Sequence, residues 1–339
     1  MKIALINPTV LDIPLKNYGG IEEVVYNLAV ELNRQGHDVY VCATIGSSFP
    51  EGINHIKTIK SNLRWNITDE LVSYNIYSSQ IKDMDIIHDH THLLYSYQLK
   101  ESNPNICSTL HNHYSSYKNK PPILYPCFIG VSKDQSKKIS RNLGIPVKYV
   151  YNCIDLDKYI SYYEEDKKDY YLFLSRITKE KGVHEAIQIA RETNIKLYIA
   201  GEDIFIPDPK YVHYIKKQCT GNIKYWGRVS DIKKKQLLSK AKALIFPDLW
   251  EECFGLVLLE ALACGTPVIA TKIGALPEII EHNKSGYLVD HPSEIKEYLD
   301  KVEDIDPKEC LKRAERFSVE VMTNNYIKLY KQILKGDYW

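Results

Sequence analysis

Two carboxylates and an amide-rich turn lie together in LWEECFGLVLLEALACGTPVIA (249–270). From Leu256 to Ala263 the pattern is helical and apolar on every side except at Glu260, so this helix is expected to be buried. A carboxylate inside such a helix is costly unless it is hydrogen-bonded, and the adjacent hydroxyls of a ribose would satisfy it. The alternative is a capped, buried helix in which Glu260 is incidental.

The residues just before this helix predict an anion site. Backbone amides at Phe254, Gly255 and Leu256 open the helix, and helix N-termini attract phosphate. Gly255 allows a ligand to approach the backbone closely. With Glu252 on one side and Glu260 on the other, the arrangement fits a diphosphate that carries a sugar at one end and a ribose at the other.

Two cations follow the first strand of the second half, in FLSRITKEKG (173–182). Arg176 leaves the end of the strand and Lys181 precedes the next helix, which places both at the carboxyl edge of the sheet, where open α/β sheets bind ligands. An Arg fork and a Lys point charge together would neutralise a departing diphosphate. Two solvated cations in a charged loop are the alternative.

A glycine pair opens the first long helix, in NYGGIEEVV (17–25). The segment does not match GxGxxG, so a nicotinamide-dependent enzyme is disfavoured. Gly19 and Gly20 at a helix N-terminus are suited to wrapping a phosphate, and a plain tight turn explains them equally well.

Histidines cluster after two strands of the first half and raise the alternative of a metal-dependent hydrolase, because imidazoles and a carboxylate can ligate zinc. The first group is His88, Asp89, His90 and His92, and the second is His111 and His113. Their spacing fits no standard zinc pattern, which favours hydrogen bonding to a sugar or an acceptor. The triplets Asp83–Asp85, Asp155–Asp157 and Asp304–Asp306 lie away from promising strand ends. We therefore expect no metal site and no cofactor.

Short apolar strands alternate with helical patterns throughout, which predicts an α/β protein with parallel sheets covered on both faces. The predicted strands are 3–6, 39–43, 86–88, 106–110, 128–131, 170–174, 196–200, 223–226, 243–246 and 267–270. The predicted helices begin at Gly20 (ending at Gly36), at Val183 (to Glu192) and at Phe254 (to Ala263), and a last one runs from about Lys308 to Leu334.

Length and composition fit two domains without a membrane span. The chain has 339 residues with 44 basic and 43 acidic side chains, a balance that argues against a nucleic-acid binder. No apolar run approaches 18 residues, the N-terminus has no cleavable signal pattern, and the eight scattered cysteines suit buried free thiols in a reducing compartment. We expect a cytoplasmic protein, with peripheral membrane contact left open. The polar segment 160–169 is the predicted linker.

Together these segments resemble the retaining family 4 glycosyltransferases of GT-B fold, over nearly the whole chain. The matching stretches are YGGIEEVVYNLA, GVSK, VYNCIDLDKY, LSRITKEKG, IAGE, YWGRVSD and EECFGLVLLEALACGTPVIAT, in family order. The resemblance implies two Rossmann-like domains facing each other across a cleft: residues 1–160 on the acceptor side, 161–315 for the donor, and a C-terminal helix (316–339) that crosses back to the first domain. One departure is Asn152-Cys153, where the family usually has Asn-Gly.

The resemblance also implies roles for individual residues. Arg176 and Lys181 would grip the donor diphosphate, Glu252 the donor sugar and Glu260 the ribose, while His111 would approach the donor sugar. The donor contacts would be completed by Gly19 and Gly20, by Gly227, Arg228 and Val229 beside the base, and by Cys253, Phe254, Gly255 and Leu256. Acceptor contacts are expected from residues at the strand ends of the first domain: His90, His92, His113, Tyr114 and Tyr117.

The expected reaction is transfer of a hexose from a nucleotide diphosphate sugar, with uridine as the favoured base, to an acceptor hydroxyl. Retention without a metal would rest on same-face attack and stabilisation of the leaving group. The acceptor is left open among a lipid-linked saccharide, a free sugar and a small polar aglycone. Besides the metal-dependent hydrolase that uses His88, His90, His92 and His111, a nucleotide-sugar epimerase, an inverting transferase and a non-catalytic binding protein are the alternatives. The oligomeric state is left open.

Overall fold

The structure, a computed structural model, describes residues 1–15, 19–117, 127–160, 162–163, 167, 169–203 and 208–339. It divides into two compact units. The first unit contains Met1–Cys153 and Val319–Trp339, and the second contains Ile154–Ser318. The predicted boundary was placed about seven residues later, in the segment 160–169, of which residues 161, 164–166 and 168 lie outside the described part.

The first unit is built on a seven-stranded parallel sheet with the order β3-β2-β1-β4-β5-β6-β7. Its strands are β1 (Lys2–Ile6), β2 (Asp38–Ala43), β3 (Ile53–Lys57), β4 (Ile86–Asp89), β5 (Ile106–Leu110), β6 (Phe128–Gly130) and β7 (Lys148–Tyr149). The five strands predicted here are confirmed to within one residue. The predictions missed β3, which is only half apolar, and β7, which has two residues.

Three helices of the first unit precede the chain crossing: α1 (Gly20–Arg34), α2 (Ile67–Ile81) and α3 (Lys133–Leu143). The apolar residues of α1 at helical spacing are buried, among them Val24, Leu28 and Leu32. Gly36, just beyond its end, has a φ of +81°, as expected of a residue that terminates a helix.

The second unit is built on a six-stranded parallel sheet with the order β10-β9-β8-β11-β12-β13. Its strands are β8 (Tyr171–Leu174), β9 (Leu197–Ala200), β10 (Ile223–Gly227), β11 (Leu244–Phe246), β12 (Val268–Thr271) and β13 (Gly286–Val289). Its helices are α4 (Asp157–Ile160), α5 (Val183–Thr193), α6 (Pro209–Gln218), α7 (Asp231–Lys240), α8 (Leu256–Ala263), α9 (Leu276–Ile279) and α10 (Pro307–Glu315). The five predicted strands are confirmed, and β13 was missed.

In both sheets the strand order reverses next to the first strand of the unit, between β1 and β4 and between β8 and β11. Loops that leave the two strands on either side of such a point run in opposite directions, which opens a crevice at the carboxyl edge. The candidate residues of each unit follow these strands. The chain also forms short 3₁₀ turns. They are Tyr95–Leu99 after β4, Tyr114–Tyr117 after β5, Lys179–Lys181 after β8, and Pro292–Tyr298 and Asp300–Asp304 after β13.

The C-terminal region forms two helices, not the single predicted one. α10 ends at Glu315, and α11 (Val319–Ile333) begins after a break in which the Phe317 carbonyl accepts a hydrogen bond from the Ile154 amide (2.8 Å). Ile154 is the residue at which the chain passes from the first unit to the second, and its hydrogen bond to Phe317 lies where the helix is interrupted. The predicted return of the last helix to the first domain is confirmed, because α11 belongs to the first unit and buries Tyr326 and Tyr330 completely.

All eight cysteines are free thiols, and six of them are buried: Cys42, Cys107, Cys127, Cys153, Cys264 and Cys310. Within the described ranges no helix combines the length and the apolar character needed to cross a membrane.

We predict that Tyr330→Phe lowers the free energy of unfolding by about 1–2 kcal/mol, because the Tyr330 hydroxyl lies 2.7 Å from Nδ1 of the fully buried His88 and the variant leaves that nitrogen without its partner. Urea denaturation measures the change. Tyr338→Phe is the matched control, since its half-exposed hydroxyl bonds Asn105 at the surface. Equal losses in the two variants would contradict the buried contact.

Candidate active site

A buried lysine lies between two carboxylates at the strand-order reversal of the second unit. Lys181 ends the 3₁₀ turn that follows β8, and Asp248 follows the adjacent strand β11. The Lys181 Nζ donates to Asp248 Oδ2 (2.9 Å) and to Glu252 Oε1. Lys181 is 6% exposed and Asp248 is 1% exposed. Predicted residues Lys181 and Glu252 are thus in direct contact, whereas Asp248 was missed.

Two glycines make this contact possible. Gly182 has a φ of +66°, and a Cβ there would lie 1.9 Å from the Pro247 carbonyl oxygen, so the turn that carries Lys181 presses directly against the segment before Asp248. Gly274 has a φ of +54°, and a Cβ there would lie 2.5 Å from the carbonyl oxygen of Glu252. Side chains at either position would push the charged residues apart.

The electrostatics of the trio favour a permanently charged lysine. Burial alone would lower the pKa of Lys181, but the charges of Glu252 and Asp248 outweigh it and raise that pKa. Burial raises the pKa of Asp248 to about 7; Glu252 adds to this rise and Lys181 opposes it. An incoming phosphate therefore has to compete with the two carboxylates for Lys181.

The N-terminus of α8 lies directly after Glu252. The helix begins at Leu256, two residues later than predicted, because Gly255 has a left-handed φ of +99°. The amides of Leu256 and Val257 make no hydrogen bond within the part of the chain that the structure describes, and the first turn has no acidic side chain. These amides are available to an anion. Phe254 is buried and Cys253 is partly buried.

Glu260 is buried on α8 and already has protein partners. Its Oε1 accepts hydrogen bonds from the Tyr159 hydroxyl (2.8 Å) and the Lys234 ammonium (2.6 Å). The expectation that a buried carboxylate here must be hydrogen-bonded is thus met by the protein itself, because two residues distant in sequence supply donors. Its second oxygen, Oε2, makes no hydrogen bond with any described residue. Ribose binding at Glu260 stays a prediction.

The other predicted donor residues of the second unit follow β8 and β10. Arg176 is exposed, and its side chain makes no hydrogen bond or ion pair with the described residues. Gly227 has a φ of +61° at the end of β10, and Arg228 Nε lies 3.4 Å from Glu202 Oε2. Val229 is partly buried. Arg176 is thus an exposed cation at the same sheet edge as Lys181, and its charge contributes, after a backbone hydrogen bond, to the lowered pKa of Glu180.

In the first unit, Gly19 precedes α1 in extended conformation and Gly20 is its first residue. A Cβ on Gly19 would lie 2.8 Å from side-chain carbons of Leu11 and Leu15, so close packing explains the absence of a side chain there. Asn17 and Tyr18 of the same motif lie outside the described residues.

The histidine groups divide into core residues and residues at the sheet edge. His88 is fully buried, with Nδ1 2.7 Å from the Tyr330 hydroxyl and Nε2 2.8 Å from Thr109 Oγ1. Asp89 accepts from the Thr91 amide (2.7 Å) and the Ser96 hydroxyl (2.5 Å). Both residues therefore use their polar atoms inside the fold.

His90 and His111 are brought together, with His90 Nδ1 2.9 Å from His111 Nε2. Burial lowers the pKa of His111 to about 3 and that of His90 well below its usual range, so both rings are neutral. Because the two rings share one hydrogen bond, one ring nitrogen donates and the other accepts.

The remaining predicted acceptor residues make local contacts. The Asn112 side-chain amide lies 3.2 Å from His92 Nδ1, and the Ser115 hydroxyl lies 2.8 Å from His113 Nδ1. The Tyr114 ring packs against His113 at 4.2 Å between centroids, and the side chain of Tyr117 lies outside the described residues. Over the described ranges, no group of three or more His, Cys, Asp or Glu is arranged to hold a metal ion.

Sequence reasoning missed two polar residues next to the histidine pair. The chain leaves β1 through Asn7 and Thr9, and His90 follows the neighbouring strand, where its amide bonds the Ile6 carbonyl (3.0 Å). Asn7 Oδ1, Thr9 Oγ1 and His90 Nε2 are all buried, and none of them has a hydrogen-bond partner among the described residues. Such groups are rare in folded proteins, and three at one edge indicate a place where a polar ligand or water completes the bonding.

Comparison with known proteins identifies related chains and folds. The family model for Glycosyltransferase Family 4 matches residues 18–158, and that for Glycosyl transferases group 1 matches residues 159–318. The N-acetyl-alpha-D-glucosaminyl L-malate synthase of Bacillus anthracis is 27% identical over 80% of each chain.

Two solved structures share the fold. AviGT4, a glycosyltransferase involved in avilamycin A biosynthesis, is 23% identical, with a TM-score of 0.75 over 100% of this chain and 99% of its own. Anabaena HepE, in complex with UDP and glucose, is 16% identical, with a TM-score of 0.72 over 98% of this chain and 100% of its own. The expected GT-B class of fold is therefore confirmed.

We predict that His88→Gln flattens the dependence of stability on pH. Burial lowers the pKa of His88 to about 3, so between that value and about 6.5 only the unfolded chain binds this proton and the wild type loses stability as the pH falls. Removing the group should reduce the slope of the unfolding free energy by up to about 1.4 kcal/mol per pH unit. Urea denaturation from pH 6.5 to pH 4.5 measures the slope, and His213→Gln, at an exposed position, is the control. An unchanged slope for His88→Gln would show that this ring titrates normally.

Proposed function

The chain belongs to the family 4 glycosyltransferases, and on this premise we propose that it moves a hexose from a nucleotide diphosphate sugar to an acceptor hydroxyl, with retention of anomeric configuration and without a metal ion. The observation that carries the proposal is the buried Lys181, which lies between Asp248 and Glu252 beside the N-terminus of α8.

The diphosphate is assigned to three groups at the carboxyl edge of the second sheet. Lys181 supplies a buried charge, Arg176 supplies an exposed guanidinium whose side chain is hydrogen-bonded to no described residue, and α8 supplies its first amides. A cation and oriented amides stabilise the charge that develops on a leaving phosphate without reorganising. In this proposal these protein groups stabilise the leaving diphosphate, which a metal ion does in other glycosyltransferases.

The sugar is assigned to Glu252, whose carboxylate touches Lys181 and whose backbone is fixed by the hydrogen bond from the Ala275 amide to its carbonyl (3.0 Å). A carboxylate held in this way can accept hydrogen bonds from sugar hydroxyls next to the bound phosphate. Glu260 Oε2 is assigned to the ribose, and Gly227, Arg228 and Val229 to the base.

The base is proposed to be uracil. Anabaena HepE, which shares the fold, was solved in complex with UDP and glucose, and this similarity supports uridine over guanosine or adenosine. The acceptor is assigned to the first unit, where His90, His92, His113 and Tyr114 follow the strand ends, and His111 is assigned to the donor sugar.

We predict that UDP raises the thermal stability of the protein and that EDTA leaves this effect unchanged. A nucleotide at a hundred times its dissociation constant should add about 2.7 kcal/mol to the free energy of unfolding. Thermal unfolding with UDP, GDP and ADP, each with and without EDTA, makes the measurement. Stabilisation by GDP or ADP alone would show that the base of the donor is guanine or adenine. Stabilisation that EDTA abolishes would show that nucleotide binding depends on a metal ion.

We predict that Arg176→Ala and Lys181→Ala each lower kcat/KM for the sugar donor by about 10²–10³, the usual loss when a group that stabilises developing charge is removed. Glu252→Gln should lower kcat more than it weakens UDP binding, because its contact is with the sugar. The assays are sugar transfer at limiting donor and titration calorimetry with UDP.

The matched control is Lys179→Ala, which removes an exposed cation from the same loop and should leave transfer close to that of the wild type. If Arg176→Ala were as active as this control at limiting donor, the diphosphate assignment would be wrong.

A further inference from the structure

The proposed reaction uses Lys181 and Glu252 and leaves Asp248, the third member of the buried trio, without a role. Asp248 follows β11 at the carboxyl edge of the second sheet, and its side chain is 0% exposed. An ionised carboxylate at such a depth is costly unless a positive charge and hydrogen bonds compensate it. The contacts of its two oxygens therefore indicate what the charge is for.

The two carboxylate oxygens of Asp248 have different partners. Oδ1 accepts a hydrogen bond from the Trp250 amide (3.1 Å), and Oδ2 accepts one from the Lys181 ammonium (2.9 Å). An asparagine could bind the Trp250 amide equally well, because its side-chain carbonyl is also an acceptor. Only the bond to Lys181 requires a negative charge, so the charge of Asp248 serves that lysine.

The backbone holds Asp248 in a fixed position beside the turn that carries Lys181. The Thr271 hydroxyl on β12 donates to the Asp248 carbonyl (2.7 Å), and the Leu249 amide donates to the Glu180 carbonyl in that turn (2.7 Å). These bonds join the loop after β11 both to the sheet and to the turn. The contact between Asp248 and Lys181 is thus built into the fold of the second unit.

The two carboxylates beside Lys181 differ in their access to solvent. The side chain of Glu252 is 21% exposed, whereas that of Asp248 is 0% exposed. A lysine ammonium has three N–H donors, and among the described residues Lys181 uses them for Asp248 and Glu252. A ligand that enters from solvent reaches Glu252 first, so Glu252 is the partner that Lys181 can exchange. Asp248 is the partner that stays.

The charge of Asp248 decides how easily Glu252 leaves Lys181. With Asp248 ionised, the ammonium keeps a buried counter-charge when Glu252 turns to a sugar hydroxyl. Repulsion between the two carboxylates also favours that turn. Without the charge of Asp248, Lys181 and Glu252 form an isolated pair, and separating a buried pair is strongly unfavourable.

We propose that Asp248 is a positioning residue of the donor site. Its ionised carboxylate stays bonded to Lys181 while Glu252 exchanges its contact with Lys181 for a hydroxyl of the donor sugar. Asp248 itself contacts neither the phosphate nor the sugar. The inference rests on the proposed function, because the exchange requires a sugar donor.

The ionisation of Asp248 makes this exchange depend on pH. Burial raises the pKa of Asp248 to about 7; the charge of Lys181 opposes the rise and that of Glu252 adds to it. Among the described residues, these two are the charged groups that face the carboxylate, from the turn after β8 and from its own loop, while β12 contributes the uncharged Thr271. The ionised form is therefore present above about pH 7 and is lost as the pH falls through that value.

The first test is the pH profile of the wild type. UDP release from UDP-glucose or UDP-N-acetylglucosamine, whichever is turned over faster, gives kcat/KM with water as the acceptor. Between about pH 5.5 and about pH 9, kcat/KM should fall on the acid side with a midpoint near pH 7, because it reports the ionisation of the free enzyme. Glu252→Gln should keep this acid limb at a lower pH, since it removes a charge that raises the pKa of Asp248.

The second test is Asp248→Asn, which keeps the acceptor for the Trp250 amide and removes the charge. At high pH its kcat/KM should be about ten- to a hundredfold below that of the wild type, the loss expected of a misplaced group. Its profile should have no acid limb, and the wild type should approach it at the acid end. It should bind UDP at least as tightly as the wild type, because a negative charge beside the phosphate site is removed and UDP carries no sugar for Glu252.

The matched control is Asp169→Asn, which breaks a contact between an aspartate and a lysine at the surface, where Asp169 Oδ1 lies 3.4 Å from Lys242 Nζ. Asp169 is exposed and precedes β8, whereas the candidate site follows that strand. This variant should have the rate and the profile of the wild type. If Asp248→Asn does not fold, the profiles of the wild type and Glu252→Gln decide the inference.

Three results would overturn the inference. They are a wild-type profile that is flat through the pKa of Asp248, an acid limb that persists in Asp248→Asn, and parallel losses of UDP binding and turnover in that variant. The last would show that Asp248 only maintains the structure of the site. In each case the wild type still binds UDP and turns over a donor. A wild type that does neither would contradict the proposed function itself, so the two failures are distinguishable.

Discussion

The burial of Lys181 is the interaction on which the candidate site of the second unit depends. An ammonium that is 6% exposed is unstable in a protein interior without counter-charges, and removing one partner of a buried pair is strongly destabilising. Asp248 and Glu252 are therefore structural requirements as well as chemical ones. Because β8 and β11 are neighbours, the loops that follow them bring these charges together although 67 residues separate Lys181 from Asp248.

In the first unit, the buried polar rings are held by hydrogen bonds and carry no charge. His88 bonds Tyr330 and Thr109, and Thr109 Oγ1 lies 3.0 Å from the Tyr326 hydroxyl. These contacts tie α11 to the centre of the sheet, so the last helix of the chain is part of the first unit's core. Both ring nitrogens of His88 have a hydroxyl partner, so the ring is fully hydrogen-bonded in this buried polar network.

Local sequence patterns predicted most of the fold and only part of the site. The central strands of both sheets are mainly apolar, and α8 is marked by Gly255 and by eight residues that are apolar except at Glu260, so these elements were placed within two residues. The break between α10 and α11 was not predictable, because its cause is a hydrogen bond to Ile154, far away in sequence. Likewise Tyr159 and Lys234 donate hydrogen bonds to Glu260 from elements that are distant in sequence, and no spacing pattern predicts these contacts. Asp248 was only weakly indicated by the sequence, because the one indication is that it follows a buried strand at the sheet edge where ligand binding was expected.

Within the proposed reaction, the neutral state of His111 bears on where the acceptor's proton would go. A general base is most effective when its pKa lies near the working pH, and burial lowers the pKa of His111 to about 3. Because this pKa lies far below neutral pH, the ring takes a proton from a hydroxyl poorly at neutral pH. As a neutral ring it can still donate or accept a hydrogen bond to a sugar hydroxyl, which suits a positioning role. The departing diphosphate, whose charge grows as the bond to the sugar breaks, is then the better proton acceptor. This balance supports the proposed same-face attack, in which Lys181 and Arg176 would stabilise the leaving group without neutralising its basic oxygen completely.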